Sequence, residues 1–185
     1  MINILKGIKM KKLSVLVSLM AASLLTACGE KQTNAEVVAE APAINQELAA
    51  YKAGAKELVA MIKAEKPDAD IVQKSAALVA NSKQIISQFI VKHPKCNDYL
   101  TALNNAADII PTLPLAEIES GYHEDGKLPT FDDPNCYHAK DLLVHPATVQ
   151  AMATMGIKDS EMRASAELEI IEVIAHFSQV EKALN

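Results

Sequence analysis

The 185-residue chain has no tryptophan, and aromatic residues make up only 4% of it. Six glycines and eight prolines exclude a collagen-like or low-complexity chain. No HExxH, GxSxG or P-loop signature occurs, and no CxxCH for a covalently attached haem. No window alternates with a period of two between turn signals, so no sheet is expected. What is present is half hydrophobic and 22% charged, which excludes a disordered polymer. Alanine occurs 29 times, which leans towards helix. The length fits one domain.

Lys9, Lys11 and Lys12 precede an uncharged apolar stretch from Leu13 to Leu25. That stretch is shorter than the roughly 20 residues a membrane-spanning helix needs. A basic start, a short apolar middle and small residues at the end describe a secretory signal. The end, Leu25-Thr26-Ala27-Cys28, resembles the lipobox of bacterial lipoproteins. Met10-Lys11-Lys12 is the more typical beginning of such a signal, and Met1 to Lys9 reads as an upstream extension.

The resemblance implies that residues 1–27 are a signal peptide cut after Ala27, and that Cys28 is the lipid attachment site, carrying a diacylglycerol and an N-acyl chain such as palmitate. Gly29 rather than Asp follows the cysteine, which in that class points to the outer membrane. The domain would then face the periplasm, or alternatively the cell surface. The membrane is thus the first expected partner, through the anchor. Processing leaves 158 residues and takes the net charge from −5 to −9, because Lys6, Lys9, Lys11 and Lys12 leave with no acid. Arg163 is the single arginine. A nucleic-acid partner needs a basic face to release counterions, so that class is excluded. Residues 28–43 carry no sustained apolar stripe and read as a lipidated flexible tether, with a frayed helix over 35–40 as the alternative.

From 44 to 185 the pattern is that of one helical domain. Ile44, Leu48, Tyr51, Ala55, Leu58 and Ile62 are spaced 4-3-4-3-4, a narrow stripe that faces a helical partner. Pro67, Asp68 and Asp70 mark the next start. A second stripe uses Ile71, Leu78, Val79, Ile85, Ile86, Phe89 and Ile90. A third runs through Leu100, Leu103, Ala107 and Ile110 to Pro111. A short helix over 115–120 is expected to end on Gly121 in a left-handed cap. Asp133-Pro134 opens a helix that is expected to kink or restart at Pro146 and end near Gly156. Asp159 or Ser160 caps the last helix. Its wide apolar arc has Ile170, Val173, Ile174, Phe177 and Leu184 on one side and Leu168, Ile171 and Ala175 on another, which predicts a central position. The expected fold is therefore all-α, an up-and-down bundle of four long helices plus one or two short ones, with one disulfide.

Once Cys28 is lipidated, Cys96 and Cys136 are the two remaining thiols, and in an oxidising compartment they read as one disulfide. A redox pair is the competing reading, but such pairs lie closer in sequence, as in CxxC.

The segment 117–145 concentrates His123, His138, His145, seven acids and three aromatics. Tyr122, Phe131 and Tyr137 are the candidate partner-binding residues. Glu119, His123, His138 and His145 are the candidate metal ligands, since imidazole and carboxylate together suit zinc, copper or nickel. Glu119 and His123 are four apart, and His138 and His145 seven apart, so each pair is able to share a helical face. The bland reading is a solvated acidic loop. On the last helix, Glu169, Glu172 and His176 share a polar stripe, either a wet face or an acid/base or metal group. No enzyme is expected and no cofactor, with a divalent metal as the one exception. The leading functional expectation is a non-catalytic, membrane-anchored envelope lipoprotein that binds another envelope protein. The second is a periplasmic lipoprotein that binds a metal ion or small ligand through 117–145.

Overall fold

The structure, a computed structural model, describes residues 40–185, with side chains from residue 44 onward. The signal, Cys28 and the tether as far as residue 39 lie outside the described residues. Six α-helices follow in order: α1 (Glu40–Lys63), α2 (Asp68–Lys92), α3 (Asn97–Ala106), α4 (Leu115–Ile118), α5 (Pro134–Met155) and α6 (Ser160–Leu184). Among the described residues there is no strand, and no helix is long and apolar enough to cross a membrane. Helix α1 begins inside the expected tether. Pro42 is accommodated because amide groups in a first turn have no helical acceptor to lose.

All six residues of the first stripe are buried, and so are Ile71, Leu78, Val79, Ile85, Ile86 and Phe89 of the second. Burying a side chain such as Leu58 or Ile62 contributes about 1.5–3 kcal/mol. Two serines of α2 are buried in the same face without penalty. Ser75 donates to the Ile71 carbonyl one turn back, and the single Ser82 proton is shared between the carbonyls of Leu78, one turn back, and Leu142 of α5.

Four pairings close the long helices into a ring of antiparallel neighbours. Lys74 of α2 meets Glu57 of α1. Asp68, at the start of α2, accepts from the amide of Ile157 just beyond α5, at 3.2 Å. Helix α6 runs back along α1, where Arg163 donates to the Ile62 carbonyl (3.2 Å) and Lys52 pairs with Glu181 (3.2 Å). Helices α5 and α6 are joined by a short turn at Gly156, whose φ of 86° is one that side-chain-bearing residues avoid. The result is an up-and-down bundle, with α3 and α4 in the long connection between α2 and α5. The Cys96–Cys136 disulfide ties the start of that connection to the first turn of α5, with Cα atoms 5.4 Å apart.

Three local expectations are corrected. Helix α5, not α6, is the central one: every residue from Ala139 to Val149 is buried, whereas Leu168 and Ile171 of α6 are exposed. Helix α5 also runs unbroken through Pro146. Proline lacks the N–H that would bond to the Leu142 carbonyl, and the Tyr51 and Ser82 hydroxyls donate to that carbonyl instead. Finally, Gly121 is no left-handed cap. The chain continues from α4 into a π-helical turn, Glu119–His123, and the positive φ falls on Asp125 at 63°.

Candidate metal centre

Helix α5 starts where the Asp133 carboxylate accepts from the amide of Asn135 and Pro134 supplies a preset first turn. The π-helical turn and the loop after it lie against this helix and are fastened by a buried cation. Lys140, 1% exposed, donates to the His123 carbonyl (2.8 Å) and the Asp125 carboxylate (3.0 Å). Tyr99 of α3 donates to the same Asp125 oxygen at 2.7 Å, and Phe131 packs on the Tyr99 ring. The Lys140 ammonium also sits 4.3 Å from the centre of the Tyr137 ring. The clamp fixes the main chain of His123 beside α5.

Its side chain is then set by Thr148. The Thr148 hydroxyl donates to the Val144 carbonyl, so it accepts from His123 Nε2–H at 2.9 Å. The His145 ring lies edge-on to His123, with centres 5.0 Å apart. His145 Nδ1 is 2.7 Å from Glu169 Oε2 on α6, and Nε2 is 3.8 Å from Asp141 Oδ1. Glu169 Oε2 also lies 3.7 Å from His123 Nε2. Two helical turns towards the start of α5, His138 meets His176 of α6, with ring centres 5.5 Å apart.

These contacts follow from a register. Helix α5 carries titratable groups at 138, 141 and 145, and α6 carries them at 169, 172 and 176. Both sets are spaced i, i+3, i+7, so each lies on one face. Antiparallel packing sets His138 against His176 and His145 against Glu169.

Among the described residues, two groups of three have donor atoms all within 4.8 Å of one another: His123, His145 and Glu169, and His138, Asp141 and His176. The four expected ligands are therefore divided. His123 and His145 share one group, His138 belongs to the other, and Glu119 is in neither. Asp141, Glu169 and His176 complete the groups. Their signal was the matching i, i+3, i+7 polar faces, which reads as a wet surface until the partner helix is known. Of the three expected partner-binding aromatics, Tyr122 is buried and Phe131 half-buried on Tyr99, which leaves Tyr137 exposed.

The electrostatics differ along this strip. Burial depresses the His123 pKa, and the Glu169 charge only partly opposes it, so this imidazole is neutral at pH 7. Burial also acts downward on His145, but the hydrogen bond to Glu169 and the charges of Glu169, Asp141 and Glu172 outweigh it and the pKa rises. Burial raises the Asp141 pKa against the pull of His145, Lys140, His138 and His176. One atom is left over: His138 Nδ1 is buried and has no hydrogen-bond partner. Imidazoles and carboxylates are the donor types of zinc and copper sites.

Compared with models of known protein families, with curated proteins and with solved structures, the chain matches none.

Proposed function

We propose that this protein is a lipid-anchored envelope protein of the outer membrane whose helical domain binds a divalent transition-metal ion, zinc or copper, through His138, Asp141 and His176. The observation that carries the reading is that triad, two imidazoles and a carboxylate with donor atoms within 4.8 Å, in which His138 Nδ1 is buried without a partner. Asn81 Oδ1 and Asn104 Oδ1 are also buried without a partner, but His138 Nδ1 alone among the three belongs to a residue of a donor triad, where an ion would serve as its partner. His176 is exposed, which gives an ion a path in from solvent. The lipobox supports the anchor and the compartment. The test is a calorimetric titration of zinc into the full chain, purified in detergent and stripped with a chelator. Saturable binding is expected, and His138→Ala with His176→Ala weakens it beyond the roughly 10–100-fold that loss of an outer partner costs. Equal zinc binding by that variant and the parent overturns the reading.

A second reading, capture of another envelope protein, is supported by the exposed apolar side chains of Leu168 and Ile171 on α6, 54% and 39% accessible. A photo-crosslinker at position 171 in cells tests it. A discrete adduct supports capture, and its absence at native expression overturns it.

A further inference from the structure

We propose that His123, His145 and Glu169 form a second metal site, and that Asp141 joins it to the first so that two ions bind in sequence, the second more weakly. The inference rests on the metal-binding reading above and adds to it the stoichiometry and the linkage.

Two of the three donor separations in the second group, those to Glu169, are close to chelating geometry. Donors about 2.0–2.1 Å from a tetrahedral zinc ion stand roughly 3.3 Å apart. Glu169 Oε2 lies 3.7 Å from His123 Nε2 and 2.7 Å from His145 Nδ1, so one distance closes and the other opens by about half an ångström. To ligate through Nε2, neutral His123 gives up its hydrogen bond to Thr148 and carries its one proton on Nδ1 instead. Each of the three comes from a separately anchored element. Lys140 holds the His123 carbonyl, buried α5 carries His145, and α6 carries Glu169.

Asp141 makes the connection. The neutral His145 ring that ligates through Nδ1 carries its one proton on Nε2, and the proton between Nδ1 and Glu169 Oε2 is released to solvent. Nε2 faces Asp141 Oδ1 at 3.8 Å. At 3.8 Å the two are not hydrogen-bonded; closed by about an ångström, the pair becomes the carboxylate–histidine–metal arrangement, in which the outer carboxylate orients the ring and strengthens it as a ligand. The same carboxylate is a donor to the first ion, together with His138 and His176. An ion held there draws on the Asp141 charge that would otherwise support His145, and sets a dication beside the second site. Both effects oppose the second ion.

The experiment is native mass spectrometry of the full chain released from detergent, with zinc added stepwise and calorimetry in parallel. The parent is expected to take up one ion and then a second at higher zinc. His176→Ala and His123→Gln each reduce the maximum to one ion. Asp141→Asn weakens both steps, the step at His145 by about 10–100-fold. Glu169→Gln, a milder change, gives the same loss as His123→Gln if the latter folds poorly, with circular dichroism and the Cys96–Cys136 bridge as fold controls. A single ion in the parent, unaffected by His123→Gln or Glu169→Gln, overturns the second site and leaves the metal-binding reading standing. Two ions with Asp141→Asn weakening one step alone overturn the linkage. No zinc bound by the parent overturns both.

Discussion

The Tyr51 hydroxyl donates to the Leu142 carbonyl at 2.8 Å, across 91 residues of sequence, and with Ser82 supplies the partner that Pro146, lacking an N–H, does not. An unsatisfied buried carbonyl costs about 1–3 kcal/mol. Ser82 donates to the same oxygen, so Tyr51→Phe alone is expected to cost about 1 kcal/mol, and Tyr51→Phe with Ser82→Ala about 2–3 kcal/mol. Pro146→Ala restores the helical N–H, so in that background the Tyr51→Phe cost shrinks. Urea denaturation of the four-way mutant cycle reads the difference.

The Cys96–Cys136 bridge closes a separation of 40 residues. Chain entropy predicts that replacing both cysteines by alanine removes about 4 kcal/mol of stability. Both cysteines are buried and the bridge encloses residues 97–135, so the loss falls on the loop 119–131 first. Hydrogen exchange would show its amides exchanging before those of α1 and α2.

Lys140 is buried with Asp125 as its counter-charge, held at 3.0 Å. Asp125→Ala leaves an uncompensated buried ammonium and is expected to cost about 3–5 kcal/mol. Asp125→Asn keeps an acceptor for Tyr99 and tolerates the positive φ of 63°, so it costs less. Comparison of thermal midpoints for the two variants separates charge from geometry.

His145 gives the metal-free protein a pH signature. Its folded pKa is raised, so its stabilising contribution is complete below the unfolded value of about 6.5 and is lost as pH rises through the folded value. The groups facing it are Glu169 and Glu172 from α6, Asp141 from α5 and His123 from the π-helical turn. His123, with its lowered pKa, acts in the opposite direction. In the presence of a chelator, the stability advantage of the parent over His145→Gln is expected to be larger at about pH 6 than at about pH 9. An advantage that grows with pH contradicts the assigned direction.

Much of the bundle was legible because apolar periodicity is local. The 4-3-4-3-4 stripe of α1 is buried at every position, and Asp133 and Asp159 cap the helices they were expected to cap. Helix α5 was misjudged because Lys140, Asp141, His145 and Thr148 interrupt its apolar run. All four are buried and partnered, which no single-helix pattern reveals. The candidate metal ligands were half legible. His123, His138 and His145 were found by their density in one segment, but Glu169 and His176 lie on a different helix and looked like solvent-facing residues.

The sequence by itself pointed to the long helices, the caps at Asp133 and Asp159, the stripes that pack and the Cys96–Cys136 pair. The first three depend on residues within a turn or two of one another, and the pair was read from the expectation that Cys28 is taken by lipid. Tertiary structure alone decided that His138 meets His176 and that His145 meets Glu169. It also decided that a tyrosine of α1 takes the place of the missing proline amide. The reason is register. Side-chain spacing along a helix fixes which residues share a face, but which of them stand opposite one another depends on how far the neighbouring helix slides before the cores interlock.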